Sequence, residues 1–230
     1  MSAGLPKRVD RATERLFCAL SSARRRRIFH PRGISYRVEV ELGAGIPRTR
    51  ALPPGERLAG VARFSRGLGL PTGAPDLLGL ALSLETDQDL LLATSAAPPG
   101  LRFLPLPARS FFGPLYSTLL PFSAGGRLVL VGARVYGAPA SRGDVWEELA
   151  SATDGASVRI ELLAAAPSGS WRPVGRALTR ERLSAEEAQR LFFDPWRCGG
   201  GLAPWSWVNR LRAPAYRGSR RGRAAAGGAC

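Results

Sequence analysis

The 230-residue chain contains one histidine, His30, one lysine, Lys7, and one asparagine, Asn209. A single histidine excludes, within one chain, a zinc site of the usual kinds and any chemistry that needs a histidine pair. The three cysteines, Cys18, Cys198 and Cys230, show no C-x-x-C spacing. An odd number without partners fits a reduced, cytoplasmic setting better than a disulfide framework. No apolar run approaches the roughly 20 residues of a membrane-spanning helix. The apolar patch at 16–20 is too short for a signal-peptide core, so export by that route is not expected. There is no G-x-S-x-G, and one histidine would have to serve any nucleophile triad. No internal repeat is present.

Arginine is what the chain has in excess: 32 of the 33 basic residues. The formal net charge of +15 is unevenly spread. Residues 1–27 carry +6 and residues 210–223 another +6, whereas the long stretch between them carries only +3. Terminal blocks of this kind serve as solvated tails, anion sites or nucleic-acid arms. A nucleic-acid interface is disfavoured, because only Tyr216 accompanies the C-terminal arginines as an aromatic. The whole chain is 45% hydrophobic and 22% charged, as in globular proteins. A chain of this length suggests one domain and buries a sizeable core without staples.

Residues 10–23 read as a short amphipathic helix. Ile34, Tyr36, Val38, Val40 and Leu42 alternate with polar residues and predict a strand whose even-numbered face points inward. Further strands are expected at 58–64, 78–84, 89–93, 127–136, 157–163 and 171–178, with Gly/Pro-rich loops at 43–55 and 67–75. Ser184 with Glu187 forms a capping box, opening a helix that Asp194-Pro195 closes. A last helical stretch is expected at 205–211. About seven hairpin-spaced strands, not interleaved with helices, predict an α+β protein: an antiparallel β-barrel with helices at the ends.

Two patterns carry little chemistry. Gly67, Gly69 and Gly73 give G-x-G-x-x-x-G with Pro71 inside and no following helix, which is not a dinucleotide loop. Glu147 and Glu148 are adjacent, so on a helix they diverge by about 100° and cannot face one substrate. A solvated face is expected for both.

One segment stands apart: Arg27-Ile28-Phe29-His30-Pro31-Arg32-Gly33, running into the first strand. It is followed by Arg63-Phe64-Ser65, then by Gly79-Leu80-Ala81, and near the C-terminus by Arg212-Ala213-Pro214-Ala215-Tyr216 with Ser219 and Arg223. In this order the motifs resemble the haem core of the catalases, over about a third of the chain. The resemblance implies a catalase-like barrel with haem as cofactor. It makes His30 the distal acid/base and Ser65 the serine that orients it, both catalytic. Arg27, Arg63 and Arg223 correspond to haem-propionate partners. Tyr216 corresponds to the iron ligand and Arg212 to its charged partner, with Ser219 in place of a threonine. The implied organisation is a basic helical arm at 1–24, one barrel domain at 25–223 and a frayed tail at 224–230.

Elementary chemistry agrees with these roles. Tyrosine ligates iron as phenolate, and a permanent cation four residues away favours that form. Haem carries two carboxylates, which gives arginine-rich ends a specific use. By parity His30 falls on the face of Ile34 and Tyr36, so it and Ser65 are expected to look into a cavity. The sequence departs from the catalase pattern where an asparagine donor follows the third strand: here that stretch runs Leu90 to Ala96, leaving Thr94 and Ser95 as shorter donors. Leu78 replaces the strand arginine, and Pro214 lies inside the tyrosine motif. The expected function is therefore a catalase-related haem-binding protein acting on hydroperoxides with weak or no catalase turnover. Non-catalytic haem binding, a basic nucleic-acid-associated role and, lowest, a phosphodiesterase-type hydrolase are the alternatives. The last lacks the His/Asp metal cluster such enzymes need.

Overall fold

In the computed structural model, which describes residues 32–46, 49–71, 73–140 and 143–205, the alternation of the first strand becomes two faces of a wall. Strand β1 (Arg32–Leu42) buries Tyr36, Val38, Val40 and Leu42 and exposes Arg37 and Glu39. It is followed by β2 (Arg57–Arg66), β3 (Leu78–Leu84), β4 (Gln88–Thr94), β5 (Leu115–Ser117), β6 (Phe122–Ala124) and β7 (Arg127–Tyr136). After helix α1 (Val145–Thr153) come β8 (Arg159–Ala165), β9 (Arg172–Arg182), helix α2 (Ala185–Arg190) and β10 (Ala203–Pro204).

All ladders are antiparallel, in the order β10-β6-β7-β5-β4-β3-β2-β1-β9-β8. A further β7–β8 ladder closes the ring. Eight strands thus form a closed antiparallel barrel, and β6 with β10 flares off the start of β7. The α+β barrel read from the alternation is the fold observed.

Register fixes which side chains fill it. Tyr36 pairs with Ala62, Ala62 with Leu82 and Leu82 with Leu90, one inward rung across four strands. Eight strands enclose an interior that side chains just fill. Phe64, Leu80, Leu82, Leu84, Leu90, Val131, Val135, Ile160 and Leu162 are each at most 2% exposed and belong to one continuous core. The expectation of a cavity on the even-numbered face is overturned here. That face is packed solid.

Helix α1 starts at Asp144, whose side chain accepts from the Trp146 amide at 2.7 Å. Glu147 and Glu148 in its first turn suit the positive end of the helix dipole. The helix buries Val145, Leu149 and Ala152 against the core. A chain of aromatic contacts runs from Trp146 to Phe111 (5.3 Å), Phe64 (5.4 Å) and Tyr36 (6.1 Å), and Tyr36 hydroxyl meets Thr153 Oγ1 at 3.3 Å. Helix α2 has the expected capping box, Ser184 with Glu187, but ends at Arg190. Asp194 is used elsewhere: its amide donates to Asp89 Oδ2 at 2.8 Å. The buried Gln88 ties the following segment down, donating from Nε2 to the Arg197 and Leu202 carbonyls and accepting from the Leu202 amide.

The helix expected at 10–23, most of that at 205–211, and the arm and tail at 1–24 and 224–230 lie outside the described residues. Among the described residues, no helix is long and apolar enough to cross a membrane.

Candidate functional site

The RFS and GLA motifs meet in the β2–β3 ladder. Ser65 pairs with Gly79 and Arg63 with Ala81. On the other side of β2, Gly33 pairs with Ser65 and Ser35 with Arg63. All six residues have the parity opposite to Tyr36 and Phe64, so they lie on the outer face of the barrel. This corrects the expected inward direction of Ser65. The correction has a physical cause: strand alternation separates two faces, but Ser65 (3% exposed) and Arg63 (8%) are buried on the outer one, so burial cannot tell inside from outside.

The outer patch is made of small residues. One rung runs Gly33, Ser65, Gly79, Ala93, Ser117, Gly132 across six strands. Small side chains here let other groups approach the backbone closely. Arg63 does so: a Cβ at Gly33 would stand 2.5 Å from its guanidinium carbon. Ser65 Oγ donates to the Gly79 carbonyl at 3.3 Å. Ser35 is 1% exposed, and its Oγ has no hydrogen-bond partner. The patch therefore combines a flat surface, a buried cation and an unsatisfied hydroxyl.

Of the residues expected to form the site, Arg63 and Ser65 come together on this face. His30, Arg27, Arg212, Tyr216 and Arg223 lie outside the described residues. Thr94, considered as a donor, has the inner parity opposite Tyr116. Its hydroxyl is committed, donating to the Leu106 carbonyl at 2.6 Å and accepting from the Leu78 amide at 3.2 Å. Ser95 Oγ is buried without a partner.

Two other sequence readings resolve differently. Glu148 is not solvated: it is 5% exposed, accepts from Ser110 Oγ at 2.6 Å and from the Gly143 amide at 3.3 Å. Glu147 is exposed as expected. The glycine-rich loop after β2 does hold an anion, but its own. Asp76 accepts from the amides of Leu68, Gly69 and Leu70 at 2.9–3.2 Å and lies 3.2 Å from Arg66 Nε. Its donors are filled, which is why no phosphate role arises. A groove of about 490 Å³ lies away from the motifs, lined by Glu41, Arg159, Glu161 and Arg176. Arg176 there is already paired with Glu41. Among the described residues, no group of three or more His, Cys, Asp or Glu could hold a metal ion.

No protein-family model matches the chain, and no curated protein matches it by sequence. A crystal structure of a fungal catalase does match in three dimensions, with a TM-score of 0.55 and 13% identity over 87% of this chain. The barrel is catalase-like. The chain spans 60% of the length of that catalase, and at this identity the likeness is one of fold.

Proposed function

We propose that the protein is a catalase-related haem-binding protein, with hydroperoxides as its substrate class and weak or absent catalase turnover. The observation that carries this reading is the patch around Ser65: motif residues Arg63, Ser65 and Gly79, all buried, and the half-buried Ala81 fall on one outer face of a catalase-like barrel. Such a face fits a flat macrocycle. Arg63 would suit a propionate, its guanidinium lying over Gly33 where no Cβ stands, and Ser35 Oγ is an orphaned polar atom on the same face.

Haem, when bound, supplies the redox chemistry with hydroperoxides. The chain's own part follows the resemblance. His30 holds and moves the peroxide proton. Tyr216 offers a phenolate to the iron and Arg212 stabilises it. Arg27, Arg63 and Arg223 bind carboxylates. Weak turnover is supported by the missing asparagine donor: the Thr94 hydroxyl is already engaged, and loss of one positioned donor commonly costs about a hundredfold in rate. Haem binding without turnover is favoured by the same observation and is the second reading.

The deciding experiment is a haem titration of wild type and Tyr216→Phe, read by visible absorption. Saturable binding in the wild type with a changed spectrum in the variant supports the assignment; no binding in either sinks it. Vigorous oxygen evolution by the loaded wild type from peroxide would overturn weak turnover.

A further inference from the structure

Two loops leave the same end of the barrel: 67–77 between β2 and β3, and 95–114 between β4 and β5. Strand register places their roots side by side, since Arg66 pairs with Leu78 and Gly79 with Ala93. The Asp76 and Ala108 backbones exchange two hydrogen bonds, at 3.0 and 2.9 Å, and Arg109 Nη1 donates to the Gly73 carbonyl at 2.6 Å. On these joined loops Leu68, Leu70, Leu101, Leu104 and Leu106 are each 41–58% exposed, although leucine gains from leaving water. Five exposed leucines on two joined loops mark an interaction surface.

The backbone under the leucines is already paired. The amides of Leu68, Gly69 and Leu70 donate to the Asp76 carboxylate, and the next residue is Pro71. The Leu104 amide donates to the Leu101 carbonyl at 2.9 Å, and the Leu104 carbonyl accepts from the Ala96 amide at 3.3 Å. The Leu106 amide donates to the Thr94 carbonyl at 2.9 Å, and the Leu106 carbonyl accepts from the Thr94 hydroxyl at 2.6 Å. Pro105 and Pro107 have no N–H to satisfy. Stretches 68–71 and 104–107 therefore present apolar side chains without a free amide. Such loops can leave water at little polar cost. An incoming peptide strand would find no donors there to pair with.

Charge selects the occupant. Neither 67–75 nor 95–114 contains an aspartate or glutamate, and Asp76 is 1% exposed and paired with Arg66. The exposed Arg109 stands beside the leucines. A second copy of the chain would bring another +15 of net charge to this surface, whereas an anionic surface brings the opposite sign. We propose that the two leucine loops seat in the interfacial layer of an anionic lipid bilayer, with Arg109 at the phosphates. Binding of this kind draws on the apolar area buried and on attraction of cations to anionic headgroups. It needs no spanning helix and does not depend on haem.

The test is co-sedimentation of the full chain with vesicles of phosphatidylcholine and phosphatidylglycerol, in low salt and in about 0.5 M sodium chloride, where screening reaches about 4 Å. High salt screens attraction to the terminal arginine blocks, whereas seated leucines keep the protein on the vesicles. Leu104→Ser combined with Leu106→Ser alters exposed positions only, so the unfolding midpoint holds while affinity in high salt falls about tenfold or more. Leu68→Ser combined with Leu70→Ser repeats the loss from the other loop, so the result does not hang on the folding of one variant. Wild type that stays in the supernatant in high salt overturns the proposal, as do both double variants sedimenting like wild type. A wild-type dimer that the double variants turn into monomer, with no vesicle binding, assigns the loops to a second copy and overturns it too.

Discussion

Ser65 and Gly79 stand opposite each other in the β2–β3 ladder, the Ser65 hydroxyl donating to the Gly79 carbonyl at 3.3 Å. The bond holds the hydroxyl against the wall, and Gly79, itself buried, sets no side chain beside it. Gly79→Val puts a β-branched side chain where the haem face is proposed, in a strand that favours such residues. Haem affinity is expected to fall about tenfold or more, and crowding at this buried position is expected to lower the unfolding midpoint. Visible titration and urea unfolding of the same samples separate blocking from misfolding. Unchanged affinity would move the macrocycle away from this face.

Asp76 joins a buried ion pair to three loop amides. Asp76→Ala leaves the Arg66 cation, 6% exposed as a side chain, without its counter-charge. A loss of about 3–5 kcal/mol is expected. Asp76→Asn, which keeps one acceptor oxygen, should lose less. Chemical denaturation measures both, and equal losses would mean that charge plays no part.

Glu148 and Glu147 are neighbours with opposite surroundings. Glu148→Ala strands the Ser110 hydroxyl and the Gly143 amide and is expected to cost about 1–3 kcal/mol. Glu147→Ala, on the exposed side, should stay within about 0.5 kcal/mol. Parallel urea curves decide between them.

The pH dependence of stability has an internal probe in Asp89. Burial raises its pKa, only partly offset by the Asp194 amide and the Arg197 cation. The folded state then holds a proton that the unfolded state releases, so this group's contribution falls as pH rises from about 4 through the raised value. Asp89→Asn removes that loss. Its stability relative to wild type should be constant below the window and improve across it. Glu39 and Glu41 act oppositely: Arg180 and Arg176 lower their pKa values, so their contribution is present near neutrality and lost as pH falls through those values. Unfolding curves from pH 3 to pH 8 resolve both trends.

The long strands were legible because their alternation is clean. Residues 127–136 were bounded as observed, and β3 likewise. Strands β5 and β6 have three residues each, too few for a period to register. Helix α1 carries its signal in Asp144 and in the acidic first turn of Glu147 and Glu148, which the expectation of a solvated face for both did not use. Of the site, the pairing of the RFS and GLA motifs followed from their positions in successive strands. Its face did not, because a wall covered on both sides shows no polar side to read.

The closed ring described above also governs how this chain meets other chains. With β7 and β8 joined, the strand order ends among the described residues at β10, two residues ending in Pro204. Proline has no amide hydrogen to offer, and two residues give almost nothing to copy. Strand-by-strand polymerisation therefore finds a poor template at β10, and adding a strand between β7 and β8 would first require breaking their seam.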